Sequence, residues 1–221
     1  MIPGNVILEV RELIQDTMEP LRYSDEFLLG FVNQTIRRIA ILRPDLFAYI
    51  DDMECTPNTV IQQAPNDSIR IIEVHSVVDG DSVTEVDKNA LDESCPSWVN
   101  EEAAPAVNWA RHVRNPNKFF IYPKAPEGQR LVIEYARTPR DYLLYEDIDL
   151  LPEAYFPVVV DGVVFLAESV DNEHVNAGRA QLFQKSFIDN LGTSAQAKVV
   201  TDMDDGGAGQ RVVRSSTNAQ S

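Results

Sequence analysis

Residues 22–47, RYSDEFLLGFVNQTIRRIAILRPDLF, carry both ends of one amphipathic helix and decide how the rest of the chain is read. Ser24 suits an N-cap, because its hydroxyl can accept one of the backbone N–H groups left without a partner in a first turn. Asp25 and Glu26 put negative charge at the positive end of the helix dipole. Tyr23 and Leu28 have the spacing of a hydrophobic staple. Leu28, Phe31, Val32, Ile36, Ile39 and Leu42 recur on one face, with Asn33, Gln34, Arg37 and Arg38 expected on the other. Pro44 forces the end. Nothing in this segment is a catalytic group, so it reads as scaffold.

Working outward, Val6, Val10, Leu13 and Thr17 predict a shorter preceding helix that stops before Pro20, paired with the first through a tight turn. From Asp51 the pattern changes. Residues 69–78, IRIIEVHSVV, form a β-branched run, Asp79-Gly80 is a turn signal, and residues 82–86 predict a return strand. Asp87 caps a short helix over KNALDE. Val107, Trp109, Arg111 and Val113 alternate, as do Phe119 and Ile121, and Leu131, Ile133 and Tyr135. These predict an antiparallel meander, since the links are too short for parallel crossovers. Helix returns after Leu151, with Pro152 at a first helical position. Residues 158–170 are nearly all apolar and predict the most buried helix, kinked or started at Pro157 and Gly162. A last helix over 172–190 turns Val175, Leu182, Phe183 and Phe187 inward, and Gly192 stops it. Residues 193–221 are polar and predict a flexible arm. The fold class is therefore α+β. The N-terminal part (1–50) and C-terminal part (151–192) form a helical bundle, 51–150 is a β-rich insertion, and 193–221 is the arm.

The 221 residues carry a formal net charge of −16. Duplex binding depends on cations neutralising phosphates, so this balance argues against a sequence-reading DNA-binding protein. No apolar run is long enough to span a membrane. Residues 1–10 meet Glu9 and Arg11 too early for a secretory apolar stretch. Cys55 and Cys95 fit no metal spacing and read as reduced thiols of a cytosolic product, with a single bridge left open. His75, His112 and His174 have no Cys, Asp or Glu at ligand spacing, and no nucleophile elbow or phosphate loop is present. Asp202, Asp204, Asp205 and Gly206 lack the alternation and closing glutamate of a calcium loop. The expectation is no enzyme, no cofactor, no catalytic residue and no metal.

Three groups of residues remain candidates for contact with other proteins. Arg22, Arg37 and Arg38 are basic points on an acidic chain and suit a subunit interface. Arg111, Phe120 and Tyr122 stand on β strands and suit a partner-facing surface. An alternative is a glycan-binding module built on the Trp109 and Tyr122 strands, as part of a virion or tail component. In the arm, Val199, Val200, Arg211, Val212, Val213 and Arg214 suit strand addition to a partner.

The order VRELIQD, the 22–47 segment with its RPD ending, IRIIEV, VDKNALDESCPSW, NPNKFFIYPKAP, LLPEAYFPVVVDGVVFLAESV and LFQKSFIDNLG resembles the head-to-tail adaptor (connector) proteins of tailed bacteriophages, most nearly those of short-tailed phages. It departs at Pro157 and Gly162, where the family pattern implies an unbroken helix. The resemblance implies a structural virion protein of the neck, assembled in the host cytoplasm. It implies a ring of identical subunits, a dodecamer, docked beneath the portal. That ring would receive the tail nozzle (hub) or fibres and continue a channel through which DNA passes without sequence-specific contact. The arm would then be the portal contact.

Overall fold

The computed structural model describes residues 1–170 and 177–192. Helix α1 spans Pro3–Ile14 and α2 Asp25–Leu42. After the β-rich middle, α4 spans Phe156–Glu168 and α5 Ala177–Leu191. Ser24 caps α2 as expected, its Oγ accepting the Phe27 N–H at 3.2 Å, a bond worth about 1 kcal/mol. The Tyr23 ring stacks on Phe27, and its hydroxyl donates to the Ala167 carbonyl. Leu28, Val32, Ile36 and Ile39 are fully buried against Val159, Val163 and Val164 of α4 and Val6 and Val10 of α1. Each such side chain contributes roughly 1.5–3 kcal/mol.

The bundle differs from the sequence pattern at identifiable points. Helix α1 ends at Ile14, because Gln15 turns into the left-handed region (φ 58°), so Thr17 lies outside it. Asn33, expected on the polar face, is buried. Its amide donates to the Tyr142 carbonyl at 3.1 Å, and its oxygen accepts the Tyr142 N–H at 2.9 Å. Leu42 sits at the helix end and stays 42% exposed. Pro152 precedes a single 3-10 turn, Glu153–Tyr155, and Pro157 falls in the first turn of α4. The helix then runs unbroken through Gly162, so of the two expectations it is the start at Pro157 that holds. Gly192 (φ 66°) follows α5, as expected. Phe187 points inward but Leu182 is 70% exposed. Val175 lies outside the described residues.

Strands β1 (Ala48–Glu54), β3 (Ser68–Val77) and β7 (Arg130–Arg137) make one antiparallel sheet in the order β1-β7-β3. A second sheet has the order β2-β6-β5-β4, from Ile61–Gln63, Lys118–Tyr122, Asn108–Arg111 and Thr84–Glu85. The meander is thus half right. β5 and β6 pair antiparallel, but β7 leaves them for the other sheet. The link after β6 is too short for a parallel crossover within one sheet, yet long enough to change sheets. The change lets Leu131, Ile133 and Tyr135 face Trp109, Phe119 and Ile121 in one shared core. The return strand is also corrected. Ser82 makes one antiparallel bridge to Ser76, and then β4 pairs parallel with β5. Val107 and Val113 are exposed, while Trp109 and Ala110 are buried.

Strand β3 is irregular in a consistent way. Ser68, Ile71 and Val74 turn inward every third residue, and three register shifts set its ten residues against seven of β7. Each shift leaves a residue without a partner, as β-bulges do, and each adds local twist. A short helix α3 (Lys88–Ser94), capped by Asp87 as expected, covers the second sheet through Trp98.

Candidate functional site

The three arginines assigned to a subunit interface all have partners within the chain. Arg22 lies over the Tyr23 ring and donates to the Ile14 carbonyl at 3.2 Å. Arg37 pairs with Asp141. Arg38 stands 5.5 Å from the Phe165 ring centre. Beside Arg38, a groove of about 250 Å³ runs between α2, α4 and α5, lined by Ile41, Leu42, Phe165, Gln184, Phe187 and Ile188. Ile41 is 71% exposed and Ile188 43% exposed. This is apolar surface on the bundle, beside the end of α2 and the last turns of α5.

Two buried arginines escaped the sequence reading. Arg11 donates to Asp16 at 2.8 Å, to the Tyr23 carbonyl at 2.8 Å and to Asp25 at 2.6 Å, fixing the α1–α2 connection. Arg43, in the RPD ending, grips both Asp45 oxygens and donates to the Leu191 carbonyl at 2.8 Å. Asp45 raises the Arg43 pKa further. The RPD segment therefore ties the end of α2 to the end of α5. The Arg-x-Asp spacing was visible in the sequence, but its distant carbonyl partner was not.

On the β side, Arg111 joins the two sheets. It pairs with Glu85 at 2.6 Å, donates to the Ile71 and Ile72 carbonyls, and lies 4.8 Å from the Trp109 ring centre. Phe120 and Tyr122 are half-buried under Trp98. The Tyr122 hydroxyl donates to Glu101 at 2.8 Å, and the Cys95 thiol reaches the same carboxylate at 3.0 Å. Those bonds pull the Glu101 pKa down, push the Cys95 thiol up, and raise Tyr122 to about 12. Trp98 and Trp109 are each 1% exposed, so neither offers a face for a sugar ring to stack on. Of the two residues on which the glycan alternative was built, Trp109 is thereby lost and Tyr122 stays half-buried. Both cysteines are free thiols.

The reading of the histidines needs one correction. His75 lies between Glu73 and Glu134, which the sequence reading had passed over. Glu-x-His on a strand was the available signal, since residues two apart share a face. The third member arrives from β7. His112 stacks on Phe120, and His174 lies outside the described residues. So do Val199, Val200, Arg211, Val212, Val213 and Arg214. No helix among the described residues is long and apolar enough to cross a membrane.

The described residues thus form a helical bundle clamped at its ends, with an exposed apolar groove, beside a braced β insertion. The sequence matches the SU10 adaptor protein family model over residues 4–214, and the chain belongs to that family. This places it among the head-tail adaptors of bacteriophages, which are structural proteins of the virion. No curated protein sequence matches it. Among solved structures, a chain from the neck of an empty GTA particle computed with C6 symmetry is similar at 14% identity. That match covers 83% of this chain and 91% of the other, with a TM-score of 0.30, too loose a likeness to transfer any residue.

Proposed function

We propose that this chain is the head-to-tail adaptor ring of a short-tailed phage, a dodecamer docked beneath the portal and continuing the DNA channel toward the tail nozzle or fibres. The observation that carries the reading is the extent of the family match. It spans both cores and runs to residue 214, taking in all six arm residues named above. In this reading the bundle packs side by side around a closed ring of heterologous contacts. Exposed Ile41, Leu42 and Ile188 beside Arg38 supply apolar contact for a neighbouring copy, which acidic subunits need to offset their mutual repulsion. Arg43 holds the exit point of the arm, and residues 193–221 engage the portal. Arg111, Phe120 and Tyr122 belong to the tail-facing insertion. Acidic charge facing the lumen would keep DNA from adhering during its passage.

Deleting residues 193–221 is expected to leave thermal unfolding unchanged and to abolish co-purification with the portal. Undiminished co-purification of the truncated chain would remove the arm from the mechanism.

A further inference from the structure

The outer face of the β1-β7-β3 sheet holds a group of side chains that the adaptor reading does not use. Glu73 of β3 is the register partner of Glu134 on β7. The next register shift falls between Val74 and Ser76, so His75 has no partner of its own and sits beside the same Glu134. One ligand atom from each of the three residues lies within 4.8 Å of the other two. His75 Nδ1 is 3.9 Å from Glu73 Oε1, and Nε2 is 3.4 Å from Glu134 Oε2.

The Nε2 atom is independently informative. It is shut off from solvent and has no hydrogen-bond partner, although the ring as a whole is 34% exposed. The nearby carboxylate oxygen lies off the hydrogen-bonding line. A buried ring nitrogen left without a hydrogen-bond partner beside a carboxylate is an arrangement that a bound cation would satisfy.

We propose that Glu73, His75 and Glu134 form a three-ligand site for a divalent cation of the zinc class, which fastens the bulged strand β3 to β7. Zinc bonds to nitrogen and oxygen are about 2.0–2.2 Å, so tetrahedral ligands stand roughly 3.4 Å apart. The Glu134 contact to Nε2 already has that spacing, whereas Glu73 stands nearest the other ring nitrogen, so its 55% exposed side chain must swing from within 4.8 Å to reach a metal held at Nε2. One imidazole selects zinc, cobalt or nickel over magnesium and calcium, and two carboxylates neutralise the charge. The fourth position opens to solvent and takes water. The site is independent of ring formation.

The test is titration of the full-length protein with Zn²⁺ by calorimetry, with Co²⁺ as a spectroscopic probe. One Zn²⁺ per chain is expected. His75→Ala and Glu134→Gln should each weaken binding on the order of tenfold or more. Zn²⁺ at a hundredfold excess over its Kd should raise Tm by about 5–10 °C in the wild type and not in the variants. The Co²⁺ spectrum should show no thiolate charge-transfer band, because neither cysteine belongs to the site. All three residues reach the surface, and far-UV circular dichroism verifies that the variants fold. Binding that persists unchanged in His75→Ala would place the cation elsewhere and overturn the proposal. Absence of any Zn²⁺ binding would overturn it too.

Discussion

Gly162 gives the sharpest test of how the bundle is packed. A Cβ built at this position would approach the Thr35 Cγ2 of α2 more closely than the 3.0 Å that real Cβ atoms keep, and would lie 3.1 Å from Phe187 Cδ2 and Cε2 of α5. The glycine therefore marks where three helices come closest. Two opposing terms set the outcome of Gly162→Ala. Alanine favours a helix interior over glycine by about 1 kcal/mol. Overpacking a close-fitting core costs typically about 1–3 kcal/mol, and Thr35 is β-branched, 1% exposed and short of rotamers to escape into. Because Thr35 cannot rotate away, the clash should fall in the upper part of that range, roughly 2–3 kcal/mol, leaving a net loss of about 1–2 kcal/mol. For a chain of this size that lowers Tm by roughly 2–8 °C. Thr35→Ala removes the methyl in the way, so in that background Gly162→Ala should turn neutral or stabilising. The double-mutant cycle by thermal and urea unfolding should give a coupling of about 1–3 kcal/mol. A Gly162→Ala variant as stable as the wild type, or additivity with Thr35→Ala, would refute the close approach of α4 and α2.

Other positions yield further outcomes. Asn33→Ala leaves the Tyr142 N–H and carbonyl buried without partners, and should cost about 2–4 kcal/mol while accelerating amide exchange at Tyr142. Arg43→Met should free the Leu191 carbonyl and fray the end of α5, seen as faster exchange over 188–191. Arg43→Lys should not restore protection, because a lysine cannot make the two-pronged contact with Asp45. Tyr122 and Tyr135, both raised to about 12, should remain protonated when alkali reaches the ordinary phenol value of 10.0, and Tyr122→Phe should remove one late-titrating group from the ultraviolet absorbance. A raised phenol pKa marks a neutral form preferred by the fold. Its stabilisation is complete below pH 10.0 and is lost as pH climbs toward about 12. The lowered Glu101 acts in the opposite direction. Its stabilisation is present above the ordinary value of 4.5 and is lost as pH falls through the depressed pKa. Tyr122→Phe should shrink both effects.

The bundle was legible in the sequence because its signals are local. The Ser24 cap, the 3.6-residue periodicity of α2, Pro44 and Gly192 each act through the few residues beside them. Asn33 was misplaced because its reason for burial, the backbone at Tyr142, lies 109 residues away. Leu182 was misplaced because periodicity gives a stripe but not its width, and Phe187 alone of the two meets the core. In the β region, alternation correctly assigned the faces of β6 and β7 but could not say which sheet β7 joins. That is decided by the shared core around Trp109 and Leu131. The period of three in β3 comes from bulges, which strand alternation does not encode. The Glu73–His75–Glu134 cluster shows the same division: two members were adjacent on one strand, and the third required the pairing of β3 with β7.

The role proposed for this chain is to join copies of itself to the portal. Electron microscopy of the purified protein, imaged with and without portal, tests this most directly. A closed ring seated on one face of the portal is expected, and no such ring on portal mixed with the chain lacking residues 193–221. Full-length protein that stays dispersed, leaving the portal undecorated, would contradict it.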